Sequence, residues 1–195
     1  LVDADDAVGG EARGDVGGVG GVLLGGVADL AVEVATGADG SVYILANLGG
    51  DSAGSAIKGA RDVALLKYDS AGKLAFTEML GASESANGFA LAVSADGKVA
   101  VAGAVEGSLS NAAAAKGKTD SFVTVFDSNG KELWTARRGA TGADQVNAIS
   151  FASNGSLIVA GQTESALVGQ SAIGGADGYV RGYSAGGAEL FTKQF

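Results

Sequence analysis

The sequence predicts an all-β protein, specifically a β-propeller with four-stranded antiparallel blades, and three observations favour this fold. Three sequence anchors recur every 57 or 58 residues along the 195-residue chain. Each repeat contains four short runs with the two-residue alternation of β-strands, separated by turn signals. The chain is also rich in small residues, with 34 Gly and 37 Ala, which suits sheets packed radially about an axis.

The three anchors recur in the same order and at the same spacing, so they define the repeat. They are a Gly that follows Asp or Asn, an Asp that opens a β-rich run, and a turn segment followed by an aromatic residue. Their positions are Gly40, Gly97 and Gly155; Asp62, Asp120 and Asp177; and 69–73, 127–131 and 184–188. We therefore assign residues 28–83, 84–141 and 142–195 to blades 1, 2 and 3. Residues 1–27 form an acidic, Gly-rich lead-in, in which 21–26 take the place of an outer strand from a preceding blade.

The middle repeat shows its elements most clearly. Its four predicted strands are Phe89–Ser94, Lys98–Ala104, Ser121–Phe126 and Glu132–Arg138. Tight turns at 94–97 and 127–130 join them in pairs, because each turn ends in a Gly suited to left-handed backbone. The main alternative fold is a β-solenoid, whose coils are shorter and whose strands are not paired as hairpins. Only Ala112–Ala115 has helix-forming composition.

The composition excludes several classes of function. The chain has no His and no Cys, which removes imidazole bases, Ser-His-Asp triads, Cys nucleophiles, disulfides and ordinary zinc sites. Its formal net charge is −9, and a surface that binds phosphates would oppose that charge. We therefore expect no nucleic-acid partner and, in the main, no catalytic residues.

The ends and apolar runs of the chain bear on its location. The chain begins at Leu1 without a basic segment followed by an apolar one, so no signal peptide is visible. Its longest apolar run, Val99–Val105, is far shorter than the ~20 residues of a membrane-spanning helix, and we expect no membrane insertion. Acidic, Gly-rich chains without Cys are common among exported bacterial proteins. We expect an extracellular or cell-surface location.

The segment 117–134 carries a resemblance to a known family. Its Gly117, Asp120, Gly130 and Trp134, followed by Gly139, Asp144 and Val159-Ala160-Gly161, resemble the bacterial SBBP-type β-propeller repeat. The resemblance covers residues 28–195 and is weaker in the first copy, where Ala46 replaces the Gly found at 103 and 161. It implies a propeller, often seven-bladed, in large bacterial surface or exported proteins, and it implies no catalytic residues. The repeats are also similar to those of a flagellin-regulating protein.

Three repeats are too few for a closed ring, which typically has 4 to 8 blades. We therefore expect further blades of the same chain, or neighbouring subunits, beside these three.

The recurring Asp62, Asp120 and Asp177 are the most suggestive carboxylates. One Asp at the same point of every blade could bind a cation such as Ca²⁺, but an Asp that follows a Gly-containing loop more often accepts backbone N–H groups. We therefore interpret the three as structural, with metal binding as the weaker alternative. No cofactor is expected, apart from this weak possibility of Ca²⁺.

Four further features have an ordinary interpretation that we prefer. The acidic Asp3, Asp5 and Asp6 could hold Ca²⁺ but fit a solvated terminus. The run 17–21 resembles a phosphate loop but lacks the Lys-Ser/Thr pair and the flanking strand and helix. The aromatic residues that follow each turn segment could stack on sugars, but their shared repeat position favours packing between blades; they are Phe76, Trp134 and Phe191. Arg137 and Arg138 predict surface ion pairs.

The connections between the second and third strands are the longest and the most variable segments, at 47–60, 105–119 and 162–176. Variable loops on a rigid frame are where recognition usually lies. The leading hypothesis is therefore a non-enzymatic interaction or structural module of a larger exported or cell-surface bacterial protein, which binds a protein or glycan through these loops. The alternatives are a glycosidase or lyase that uses carboxylates alone, and a subunit of a surface filament or flagellum-associated assembly.

Overall fold

A computed structural model describes residues 30–49, 57–109 and 112–195, and this part of the chain contains twelve β-strands. The first repeat holds β1 Leu30–Thr36, β2 Val42–Leu48, β3 Asp62–Tyr68 and β4 Leu74–Leu80. The second holds β5 Ser85–Val93, β6 Val99–Glu106, β7 Asp120–Phe126 and β8 Glu132–Arg138. The third holds β9 Asp144–Phe151, β10 Leu157–Thr163, β11 Asp177–Tyr183 and β12 Glu189–Gln194.

The strands form three separate antiparallel sheets, each made from four consecutive strands. We call them sheets 1, 2 and 3. This arrangement confirms the all-β prediction and the four-stranded antiparallel unit, and it is unlike the continuous coil of a solenoid. The predicted bounds of β6, β7 and β8 lie within two residues of those observed. The strand β5 begins at Ser85 instead of Phe89, because a bulge between Gly88 and Ala90 lets pairing with β6 continue. Ala112–Ala115 forms no helix.

The hairpin turns have the backbone that their sequence predicts. Glycine ends both tight turns of every sheet in the left-handed region, with φ between 78° and 88°; the six are Gly40, Gly72, Gly97, Gly130, Gly155 and Gly187. In sheet 2, Oδ1 of Asp127 accepts the N–H groups of Asn129 and Lys131 at 2.8 and 3.0 Å. In the third repeat Ser184 replaces this Asp, and its hydroxyl accepts the Ala188 N–H at 3.1 Å. The turn therefore survives the loss of the carboxylate.

The sheets pack face to face in chain order, and sheet 2 lies between the other two. The core between sheets 1 and 2 contains Tyr43, Leu45, Val99 and Val101 among its buried side chains. The core between sheets 2 and 3 joins Ala100, Ala102 and Val123 to Leu157 and Tyr179. Because sheet 2 is covered on both faces, every residue of β7 is buried. The first strands of the sheets are neighbours: β5 packs against β1, and β9 against β5.

One backbone hydrogen bond repeats from the first interface between sheets to the second. The Ala86 N–H in β5 donates to the Arg61 carbonyl of the first repeat at 2.7 Å. At the equivalent position the Asp144 N–H in β9 donates to the Thr119 carbonyl at 2.9 Å. Consecutive repeats are therefore joined in the same way, although their loop sequences differ.

The described residues include no helix long and apolar enough to cross a membrane. The lead-in 1–27 lies outside the described residues, together with its predicted strand, the acidic cluster of Asp3, Asp5 and Asp6, and the glycine run 17–21.

Candidate functional site

The antiparallel order of each sheet places its connections on two opposite sides. The tight turns lie on one side, which we call the turn side. The connections between second and third strands, and the links from one sheet to the next, lie on the other, which we call the loop side. The predicted binding loops and the recurring aspartates therefore share the loop side.

Each recurring aspartate is bonded to the backbone of the loop that precedes it. Oδ2 of Asp62 accepts the Lys58 N–H at 2.9 Å. Asp120 accepts the N–H groups of Lys116 and Gly117 at 2.9 and 3.1 Å. Asp177 does the same with residues 173 and 174, at 2.7 and 2.9 Å. All three carboxylates thus hold the end of a loop against the first residue of the third strand.

The residue 17 positions after each aspartate differs among the repeats, and in two of the three it is a second partner of the carboxylate. In sheet 2 the Arg137 Nε donates to Asp120 Oδ2 at 2.7 Å, and both side chains are buried. In sheet 3 the Gln194 amide donates to Asp177 Oδ2 at 2.8 Å. In sheet 1 this position is Met79, which cannot donate, and Oδ1 of Asp62 has no hydrogen-bond partner among the described residues. The aspartate that holds the corresponding loop is thus paired with a cation in sheet 2, with an amide in sheet 3 and with neither in sheet 1.

The predicted surface ion pair is wrong for Arg137. Its side chain is buried on the loop side, where Asp120 and the Gly107 carbonyl both accept its N–H groups. Arg138, which points to the other face of the strand, forms the expected partly exposed pair, with Nε 3.1 Å from Glu189 Oε2. The signal in the sequence that could have revealed the pairing of Arg137 with Asp120 is its position, 17 residues after the recurring Asp.

Asp144 adds a fourth buried carboxylate beside Asp120. A Cβ at Gly139 would lie 2.1 Å from Asp120 Oδ1 and 2.9 Å from Asp144 Oδ2, so the two oxygens lie within about 5 Å and this position requires glycine. Asp144 Oδ2 accepts the Ala140 N–H at 2.8 Å, while Oδ1 lacks a partner among the described residues. Burial, and to a lesser degree the charge of Asp120, raises the pKa of Asp144.

The opposite shift occurs at Asp177. The N–H of Ile173 and the amide of Gln194 stabilise the ionised carboxylate and hold the pKa of Asp177 below its usual value. At Asp144 the desolvation of the carboxylate outweighs its hydrogen bonds, whereas at Asp177 the hydrogen bonds to the charged form outweigh desolvation.

A cleft of about 320 Å³ opens on the loop side between sheets 2 and 3. Its lining includes Lys116, Thr141, Ser165 and Val168, from the second and third long connections and the link between the sheets. The Val168 side chain is 82% exposed, and Ile173, further along the same connection, is 76% exposed. The cleft thus combines a cation, two hydroxyls and exposed apolar surface.

A second groove, of about 510 Å³, lies on the turn side between the first hairpins of sheets 2 and 3. It is lined by residues that include Ser94, Asp96, Phe151 and Asn154. Lys98 and Ser94 donate hydrogen bonds to Asp96 and lower its pKa. This groove is not visible in the sequence, because its residues come from two different repeats.

Within the described part of the chain, no three His, Cys, Asp or Glu residues come together in a group that could hold a metal ion. Asp62, Asp120 and Asp177 are separated, one to each sheet, and each contacts its own loop.

The predicted interblade aromatic residues differ in their surroundings. Phe76 and Trp134 contact the turn of the following sheet, near Gly130 and Gly187 respectively. The Trp134 indole N–H also donates to the Ala185 carbonyl at 3.0 Å, and its ring lies 5.7 Å from that of Tyr183. Phe191 is 41% exposed.

A curated protein of Caulobacter vibrioides (strain ATCC 19089 / CIP 103742 / CB 15), named regulatory protein FlaEY, is 44% identical to this chain over 180 residues. The matched segment is 82% of the chain and 19% of the relative, so the chain spans about a fifth of that protein's length. No protein-family model matches the chain. The resemblance to the SBBP-type repeat therefore rests on the motif residues.

Proposed function

We propose that the chain is a non-enzymatic interaction module of a larger bacterial regulatory protein, and that its loop side binds a protein partner. One observation carries the proposal: the three sheets hold their long connections with the same aspartate contacts, while the connections differ in sequence and the third exposes the apolar side chains of Val168 and Ile173. Similarity to a relative named as a regulatory protein supports a regulatory role. The three sheets would be blades of a propeller, as their order and adjacent first strands suggest.

The cleft between sheets 2 and 3 is the proposed centre of binding. In the cleft Val168 provides exposed apolar surface, and Lys116 provides a positive charge in a chain whose net charge is −9. Ile173 adds exposed apolar surface further along the third connection. This combination suits a protein segment with an apolar side chain next to a carboxylate. We further propose that the protein acts outside the cell or at its surface, in association with the flagellum, because its repeats are similar to those of a flagellin-regulating protein.

The binding test uses purified flagellin monomer from the same bacterium as the probe. We expect flagellin to bind the chain and Val168→Asp to weaken binding at least tenfold. The new carboxylate would replace an apolar contact and would repel the carboxylate of the partner. The control is Leu190→Asp, since Leu190 is 59% exposed on β12 and away from the loop side. Isothermal titration calorimetry gives both dissociation constants. Absence of binding, or equal weakening by both variants, would count against the proposal.

One observation favours the alternative of an enzyme that uses only carboxylates. Asp144 has a raised pKa and lies close to Asp120, as in a general acid and its partner. Against this, the residue exposures of Asp120 and Asp144 are 0% and 1%, so a substrate would not reach either carboxylate without a change of structure. The burial of this pair supports the interaction module.

A further inference from the structure

The groove on the turn side between sheets 2 and 3 takes no part in the binding proposed for the loop side. Its volume of about 510 Å³ is larger than the 320 Å³ of the cleft. Val93, Phe151 and Ala185 supply apolar surface, and several polar side chains complete the lining. Concave sites that combine apolar surface with a few polar groups are the usual form of a site for small molecules.

A lysine fills the corresponding space between sheets 1 and 2. The Lys67 Nζ donates to the Ser128 carbonyl, in the last turn of sheet 2, at 2.9 Å. It lies 3.8 Å from Asp39 Oδ2, in the first hairpin of sheet 1, and 5.2 Å from the centre of the Tyr43 ring. The lysine side chain is therefore buried between the two turns.

This lysine has no counterpart between sheets 2 and 3. One repeat later the two turn residues are Asp96 and Ala185, and both line the groove. Val125 stands at the position of Lys67, and its side chain is too short to span the distance between the two turns. The Trp134 indole donates to the Ala185 carbonyl instead, from the outer strand. The groove is therefore open because a valine replaces the lysine.

Three residues that line the groove differ from their counterparts in the other sheets. Phe151 brings an aromatic ring, Lys98 an ammonium group and Asn154 a carboxamide. Their counterparts are, in the same order, Thr36 and Val93, Ser41 and Ser156, and Asp39 and Asp96. The changes that distinguish these turns thus bring to one groove three groups that can contact a ligand.

The charges in the groove balance one another. The Lys98 Nζ donates to Asp96 Oδ2, and the Ser94 hydroxyl donates to Asp96 Oδ1 at 2.6 Å. These two bonds lower the pKa of Asp96, so its carboxylate is ionised at neutral pH and offsets the ammonium group. Within the described part of the chain, no other charged residue lines the groove. The groove therefore favours an uncharged ligand.

The groove also offers a free donor beside an aromatic ring. Oδ1 of Asn154 accepts the N–H and the hydroxyl of Ser156 at 3.0 and 2.6 Å, and the amide N–H groups of Asn154 have no partner among the described residues. Phe151 packs in part against the core between sheets 2 and 3 and also lines the groove. A sugar ring has C–H groups on its faces and hydroxyls around its edge, so it can contact a ring and hydrogen-bond to neighbouring polar groups together.

We propose that the turn-side groove between sheets 2 and 3 binds a neutral saccharide. The Phe151 ring contacts the C–H groups of one sugar face, and the Asn154 amide donates to a hydroxyl. The pair of Asp96 and Lys98 accepts from one hydroxyl and donates to another. This site is separate from the loop side, so the proposal does not depend on the partner proposed there.

The test is a titration of the ¹⁵N-labelled chain, followed by NMR, with maltose, cellobiose and N,N′-diacetylchitobiose as probes. We expect at least one of these disaccharides to shift the backbone N–H signals of residues 94–98 and 151–155 in a saturable way. The signals of 139–141 and 165–168, at the loop-side cleft, should stay unchanged.

Two variants use residues that other repeats already carry at these positions. Asn154→Asp removes the amide donor and should keep the turn, because Asp39 Oδ1 accepts the N–H and the hydroxyl of Ser41 in the same way. Phe151→Val removes the ring. Each should weaken binding of the disaccharide about fivefold or more, since a net hydrogen bond contributes about 1 kcal/mol. Asn129→Asp makes the same charge change at an exposed turn position that does not line the groove, and it should leave binding unchanged.

Several results would overturn the proposal. They are the absence of saturable shifts with all three disaccharides, shifts confined to the loop side, and equal weakening by Asn154→Asp and Asn129→Asp. Weaker binding of flagellin by Asn154→Asp, without binding of any disaccharide, would show that the groove is a protein site and would overturn it as well.

Discussion

At the scale of single residues, the recurring aspartate holds the preceding loop in all three sheets, whichever residue stands 17 positions later. Arg137, Gln194 and Met79 occupy one position in the three repeats, yet the carboxylate bonds to its loop in all three. The backbone N–H groups are therefore the constant part of the contact and the outer-strand side chain is the variable part. Leaving one partner out is tolerated in sheet 1, where Asp62 keeps its bond to the Lys58 N–H.

Asp144 and Asp177 give a pair of opposite pH effects. The folded-state pKa of Asp144 is raised by burial, so its ionised form costs stability, and that cost appears as the pH rises through the folded pKa. We expect Asp144→Asn to be more stable than the wild type at pH 7, with the difference vanishing below 3.8, the ordinary pKa of an Asp carboxyl. Urea unfolding over this pH range, followed by Trp134 fluorescence, measures it.

Asp177→Asn is the control with the reverse sign. Hydrogen bonds from Ile173 and Gln194 lower the folded-state pKa of Asp177, so its stabilisation is present above 3.8 and is lost as the pH falls through the folded pKa. This variant should be less stable than the wild type at pH 7, and the gap should close in acid. If Asp144→Asn were also destabilising at pH 7, the assigned cause of its shift would be wrong.

At the scale of elements, the sequence predicts the strands and turns well, because both depend on local signals. Alternation along Ser121–Phe126 and the Asp127–Gly130 turn need only neighbouring residues, and both are found. The start of β5 was missed because its bulge depends on pairing with β6. The burial of Arg137 was missed for a similar reason, since its partner Asp120 lies on the adjacent strand.

The last turn of sheet 3 offers a matched pair of glycines for testing the contact between sheets. Gly187 has φ +84°, and a Cβ there would lie 2.6 Å from the Trp134 ring, whereas a Cβ at Gly186 would meet nothing within 4 Å. We expect Gly187→Ala to lower the free energy of unfolding by about 1–3 kcal/mol, since a non-glycine residue would be strained there. It should also shift the emission of Trp134, the single Trp. Gly186→Ala should change neither; equal effects would contradict the contact.

At the scale of the whole molecule, the stacking of sheets is the claim on which the proposed site depends. The cleft exists only because the second and third long connections lie side by side, which follows from face-to-face packing of sheets 2 and 3. The repeat period could be predicted from the sequence, since the anchors are visible in it. The cleft could not, because its residues come from different repeats and share no motif.

The charge of the chain also belongs to this scale. A net charge of −9 with a pI near 4.4 keeps the molecule acidic at neutral pH. Lys116 in the cleft is a positive charge at the surface for which we propose a protein partner. Electrostatic attraction there would favour a partner that carries a carboxylate.

The most direct test of the stacking is a nuclear Overhauser measurement between Trp134 of the second repeat and Tyr183 of the third. Their ring centroids lie 5.7 Å apart, and the Trp134 indole N–H donates to Ala185. We expect cross-peaks from the indole protons of Trp134 to the Tyr183 ring, alongside those to Val125 of its own sheet. Cross-peaks to Val125 without any to Tyr183 would show intact sheets that do not stack, and would contradict the account.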